Sequence, residues 1–151
     1  MNARVAVQYG TRRPWAPAVP TLRRWAAASL GRQHRAAELG IRVVSAAEGR
    51  RLNRDFRGKD KATNVLSFPV PPVPPCAGRF LGDLVVCAPV VAREAREQGK
   101  PLRAHWAHMV VHGTLHLLGE DHDTAGRAAA MEAREIAILA GLGFGNPYEV
   151  G

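Results

Sequence analysis

The 151-residue sequence predicts an α+β fold, a small mixed sheet of about four strands packed with about five helices, and three observations carry that reading. Apolar residues make up 46% of the chain and charged ones 23%, a balance that lets a chain of this length bury its own core without disulfides or metal staples. Four short runs are rich in β-branched and aromatic residues, and five longer stretches repeat apolar residues at helical spacing. No repeat, composition break or linker divides the chain, so residues 1–151 read as one domain.

The elements follow in order. Residues 4–9 (RVAVQY) alternate as a strand, and 21–34 form a helix with Leu22, Trp25, Ala26 and Leu30 on one stripe. A second strand, IRVV at 41–44, follows Gly40. Ser45-Ala46-Ala47-Glu48 is a capping-box pattern that opens a helix to about Phe56, and Gly58 stops it. A polar loop through Lys61 leads to a third strand at 64–68. The five prolines from Pro69 to Pro75 cannot join a sheet ladder and predict an exposed, extended connection to a fourth strand at 80–86. Helices at 89–98 and 102–118 come next, with Pro101 at a first turn and Gly119 ending the second. A last helix, 125–140, begins behind Asp123 or Thr124.

No stretch approaches the roughly 18 apolar residues of a membrane span, and the first ten residues lack the apolar block of a signal peptide, so the expected location is the cytoplasm, away from membranes. Cys76 and Cys87 form no Cys-x-x-Cys pair and read as free thiols. Charge is lopsided. The net charge of +8 divides into +10 over residues 1–61 and −2 over 62–151. A basic half suits a polyanion, with Arg50, Arg51 and Arg54 as the group to meet phosphates, although 18 of the 21 basic residues are Arg and compositional drift alone produces such a bias.

Histidine is concentrated: five of the six, His105, His108, His112, His116 and His122, fall in one 18-residue window. At about 100° per residue the first four share one face of a helix, beside an apolar stripe of Trp106, Met109, Val110 and Leu117. His112 and His116, at i and i+4, can present two imidazole nitrogens to one ion about 2 Å away, and Gly119 permits a sharp turn that returns His122 as a third ligand. Three neutral imidazoles leave one tetrahedral position open, as in catalytic zinc sites, so one zinc ion per chain is the expected cofactor. His105 and His108 have no partner set of their own and read as surface residues or as hydrogen-bonding support.

The spacing in HGTLHLLGEDH coincides with that of the metzincin zinc peptidases, in which a Glu follows the first His and takes a proton from water; here Gly113 stands in that place. Zinc alone lowers the pKa of a coordinated water from 15.7 toward about 7, and Glu120 or Asp121 could assist from the turn.

Together with FRGKDKATNVLSFP (56–69), FLGDLVV (80–86) and MEAREIAILAGLGFGNPY (131–148), the string HGTLHLLGEDH resembles the YbeY family of bacterial endoribonucleases, over about residues 40–148. The resemblance implies a zincin-like fold and a metal site of His112, His116 and His122. It also implies action on single-stranded RNA, with a role in maturing the 3′ end of 16S rRNA and in ribosome quality control, and the small ribosomal subunit and its assembly factors as partners rather than DNA or membranes. By motif, Arg57 matches the arginine that the family treats as essential. Its position alone would make it an ordinary helix-end arginine, but a planar, permanently charged fork also suits the charge that develops on phosphodiester oxygens. Two other readings stand beside endoribonuclease: a zinc metallopeptidase, on ligand spacing, and a non-catalytic ribosome-associated assembly factor, on charge and histidines alone.

Overall fold

The computed structural model describes residues 3–11, 16–34, 36–70 and 80–149. In chain order these give β1 (Arg4–Tyr9), α1 (Val19–Leu30), a 3-10 turn (Arg32–His34), β2 (Glu38–Val44), α2 (Ala46–Arg57), β3 (Val65–Pro69), β4 (Phe80–Cys87), α3 (Ala88–Gln98), α4 (Leu102–Leu117) and α5 (Ala125–Gly141). The sheet runs β1-β2-β4-β3, with β1, β2 and β4 parallel and β3 antiparallel to β4 on the outer edge. This is the mixed four-stranded sheet with five helices that the sequence predicts.

Local chemistry explains most boundaries. Ser45 accepts from the Glu48 amide, Gly58 closes α2 in the left-handed region, and Thr124 caps α5 by accepting from the Arg127 amide. Three boundaries differ from expectation. Helix α1 begins earlier, with Pro20 in its first turn, and ends at Leu30 because Gly31 turns with φ +70°; His34 lies in the separate 3-10 turn. Strand β2 begins at Glu38, so Gly40 lies inside the ladder, opposite Ala6 and Asp83, rather than ahead of it. Pro69 does join the ladder, pairing with Gly82, because β3 is an edge strand and no inner neighbour needs the missing N–H. The rest of the proline tract, with Cys76, lies outside the described residues. Cys87 is a buried free thiol whose pKa burial pushes up.

The main core lies between one face of the sheet, with Val5, Leu39, Ile41, Val43, Leu84 and Val86, and helices α1 and α4. On the other face a smaller cluster of Val44, Leu66, Val85, Cys87 and Val90 is covered by α2 and α3. The histidine helix α4 corrects the expectation of separate apolar and imidazole stripes. It is central rather than amphipathic: His105 and His108 are as buried as Trp106 and Met109, because α1, α3, α5 and the sheet surround it.

Helix α4 lies close against β3 and β4 at Gly113. A Cβ there would come within 2.8 Å of Leu84 and 3.2 Å of Val65, and the Ser67 hydroxyl bonds the Gly113 carbonyl at 3.2 Å. The residue after His112 therefore points into sheet packing, where no glutamate fits. Gly113→Val should destabilise the protein by about 2 kcal/mol despite the poor helix propensity of glycine, measured by urea unfolding, since a branched side chain must displace Leu84 in a packed core. A stability equal to wild type would show that α4 and the sheet can move apart there.

Candidate metal centre

At its C-terminal end α4 emerges from the core and carries His112 and His116, half-buried, onto the floor of a cleft of about 850 Å3. The chain then reverses. The amides of Gly119 and Glu120 bond back to the carbonyls of His116 and Leu115, and Gly119 adopts φ +94°, so His122 returns on an exposed loop facing the other two rings. Asp121 holds the His122 amide at 2.7 Å, and Arg127 ties the loop by bonding Asp123 and the Gly119 carbonyl, each at 3.2 Å.

The ligand atoms of His112, His116 and His122 all lie within 4.8 Å of one another, and the Nε2 atoms of His112 and His116 are 3.1 Å apart. Ligands about 2.0–2.1 Å from a tetrahedral ion sit about 3.3–3.4 Å from each other, so the imidazoles already converge on the space such an ion needs. Donor chemistry agrees. His112 Nδ1 lies 2.7 Å from Glu135 Oε2, and a carboxylate only accepts, so the ring proton belongs on Nδ1 and the Nε2 lone pair faces the cleft. Burial, and then the facing His112 and His122, hold the pKa of His116 below its ordinary value, which favours a bare ring nitrogen there. The three histidines singled out from the sequence thus meet at one place and fit a divalent ion.

Glu135 was not singled out. It is 0% exposed on α5, and its Oε1 accepts from His108 Nε2 at 2.8 Å and from the Tyr148 hydroxyl. Burial alone would raise its pKa, but the bonds from His108, His112 and Tyr148 outweigh that and bring it down to about 2. Burial and the Glu135 bond push the Tyr148 hydroxyl well above its ordinary range. His108 is therefore buried support for Glu135. His105 performs the same kind of task, with Nε2 2.9 Å from Glu94, which also receives the Asn64 amide at 3.0 Å on the cleft wall. Pairing through Nε2 places the proton there and leaves Nδ1 of each ring an acceptor, which meets no donor among the described residues. A sequence signal for Glu135 did exist: it falls four residues after Met131 and four before Leu139, on the apolar stripe of α5.

Arg57 ends α2 and lines the same cleft. Its Nη2 donates to the Ser67 carbonyl at 2.6 Å, and its guanidinium lies 5.9 Å from the Phe68 ring centre. Lys59 and Lys61 line the cleft as well. The basic side chains that line the cleft, among the described residues, are thus Arg57, Lys59 and Lys61. Arg50 is paired with Asp60 at 2.7 Å, and Arg54 with Asp55 at 3.2 Å. Both turn acids border the cleft but are engaged, Glu120 with Arg134 and Asp121 with the His122 amide.

The family model described as Endoribonuclease YbeY matches residues 18–143. Proteins of that name are similar along most of the chain. One from Stenotrophomonas maltophilia K279a is 58% identical over 148 residues, covering 95% of this chain and 92% of that protein. One from Alkalilimnicola ehrlichii is 57% identical over 138 residues, covering 89% and 83%. The solution structure of TM1509 from Thermotoga maritima superposes with a TM-score of 0.61 over 97% of this chain and 99% of that one; at 22% identity this shows a shared fold.

Two outcomes follow from this geometry. Glu135→Gln should lower affinity for a divalent ion about 10–100-fold, measured by competition with a chelating dye, because Gln cannot accept from all three donors. Undiminished affinity would show that Glu135 does not orient His112. The second outcome concerns acid. His105 and His116 have folded pKa values below 6.5, so their stabilisation is complete above that pH and is lost as pH falls below it. The Glu135 contribution is complete above 4.5 and is lost toward about 2. Urea midpoints of the metal-free protein should therefore fall in two stages on acidification; a flat profile down to about pH 3 would contradict these assignments.

Proposed function

Because the chain belongs to the endoribonuclease YbeY family, we propose that residues 1–151 form one metal-dependent endoribonuclease domain that cuts unpaired RNA. In this reading it matures the 3′ end of 16S rRNA and serves ribosome quality control in the cytoplasm, with the small ribosomal subunit and its assembly factors as partners. No helix among the described residues is long and apolar enough to cross a membrane. The observation that carries the proposal is the one cleft lined by three converging imidazoles together with Arg57, Lys59 and Lys61.

His112, His116 and His122 would hold one zinc ion, which suits three neutral nitrogens, and when bound it supplies Lewis acidity toward a phosphoryl oxygen. The protein's own groups do the rest. Glu135 keeps the His112 lone pair aimed into the cleft. The Ser67 carbonyl anchors one nitrogen of Arg57, leaving the remaining N–H groups of the fork for nonbridging oxygens whose charge grows in the transition state. Lys59 and Lys61 attract flanking phosphates.

A zinc metallopeptidase is disfavoured on two grounds. Gly113 leaves no glutamate beside His112, and Arg57 occupies a carbonyl on the edge of β3, where an extended peptide would need to pair. The test is incubation of zinc-loaded protein with unpaired RNA, duplex RNA and casein. Chelator-sensitive cleavage of unpaired RNA is expected; casein cleavage would select the peptidase, and no cleavage the non-catalytic assembly factor. Purified protein should carry about one zinc per chain, and His116→Ala should lose most of it.

Arg57→Lys should retain the metal and the fold yet lose turnover by about 10²-fold with little change in RNA affinity, because lysine keeps the charge but not the fork. Single-turnover kinetics beside equilibrium binding make this check. Lost affinity with normal turnover would make Arg57 a binding residue only.

A further inference from the structure

Strand β3 borders two cavities: Ser67 lines the histidine cleft, while Phe68 lines a second cavity of about 450 Å3 on the far face of the sheet. The second cavity exists because the strands beneath it are bare. Ala6 and Gly40 pair across β1 and β2, and a Cβ on Gly40 would stand 2.2 Å from Asp83 Oδ1, so the Asp83 carboxylate lies directly over the glycine. A glycine inside a strand weakens it and marks a place where something else approaches closely.

The walls are aromatic and polar. Phe56 and Phe68 meet edge to face, with centres 5.5 Å apart, yet Phe56 remains 66% exposed. Arg42 and Glu48 satisfy each other on the opposite side, at 2.7 and 3.1 Å. Asp83 takes part in none of the ion pairs among the described residues, so this cavity holds a carboxylate free to accept. Arg57 straddles the rim, with Nη2 on the Ser67 carbonyl and its guanidinium over Phe68. A chain whose phosphate met Arg57 in the first cavity would find an aromatic surface immediately across the edge strand.

We propose that this second cavity is a nucleobase subsite: it takes the base of an RNA nucleotide flanking the cut, stacked on the exposed Phe56 ring beside Phe68, and favours a base whose amino group donates to Asp83. The inference rests on the endoribonuclease reading and adds to it a reason for unpaired RNA. A base can enter the cavity only when it is free of its helix, and aromatic stacking is available to any such base. The carboxylate adds preference, since it accepts from exocyclic amines but repels the carbonyl edge of uracil.

The test uses the full-length, zinc-loaded protein with unpaired oligoribonucleotides, either intact or carrying one abasic position stepped along the chain on each side of the cut. Wild type should bind the intact oligonucleotide about tenfold more tightly than the version abasic at one flanking position. Phe56→Ala, which removes an exposed ring and leaves the core alone, should erase that difference, and Asp83→Asn should erase the preference for cytosine over uracil there. Circular dichroism and zinc content should be native in both. RNA cleavage by wild type with no abasic penalty at any position, or with Phe56→Ala binding intact RNA as tightly as wild type, overturns the subsite alone. Unchanged RNA affinity together with lost binding to purified small ribosomal subunits assigns the face to a protein and likewise overturns it. A wild type that neither binds nor cleaves RNA overturns the endoribonuclease reading and the subsite with it.

Discussion

A carboxylate removed from solvent is tolerable only while donors surround it, and Glu135 has three. They come from two places in the chain. His108 and His112 are one turn apart on α4, and Tyr148 lies on the C-terminal segment, where Lys100 also holds the Pro147 carbonyl at 2.6 Å. The acid therefore fastens α5, α4 and the tail at one point. Because its second oxygen faces His112, the requirement that stabilises the acid also fixes the tautomer of an imidazole at the cleft. Stability and site geometry are in this sense the same set of hydrogen bonds.

Helix α4 faces a harder problem than a surface helix. It must be apolar enough to sit at the centre of the fold and still deliver polar rings to solvent at one end. The solution is a gradient along the axis. His105 and His108 are buried with Nε2 hydrogen-bonded to Glu94 and Glu135, whereas His112 and His116 lie where the helix leaves the core. Gly113 makes this possible on the side toward the sheet, since it brings the helix close enough for Ser67 to bond its carbonyl. Arg57 and the imidazoles line the same cleft.

Much of this was legible in the sequence, and the failures are physical. The His112, His116 and His122 constellation could be read because helical spacing and a turn glycine are local properties. Capping at Ser45 and Thr124 was legible for the same reason. The burial of His105 and His108 was not, because helical periodicity reports which residues share a face and says nothing about how many neighbours cover the other faces. Glu135 was missed because its three partners are 13 to 27 residues away, although its place between Met131 and Leu139 marks a carboxylate facing a core. Pro69 was placed outside the sheet by a rule that holds for inner strands; its edge position exists only once the strand order is known.

That edge has a further consequence. The strand beside the cleft, β3, is the outer strand of a sheet, and an unpaired edge invites the same edge of another molecule to add to it. Three features blunt it. The strand is five residues long, it ends in a proline with no N–H to offer, and the Arg57 guanidinium already occupies the Ser67 carbonyl. Arg57 thus also covers a carbonyl to which another strand would otherwise pair. A substitution that frees the Ser67 carbonyl would therefore leave this edge more open to pairing with another molecule.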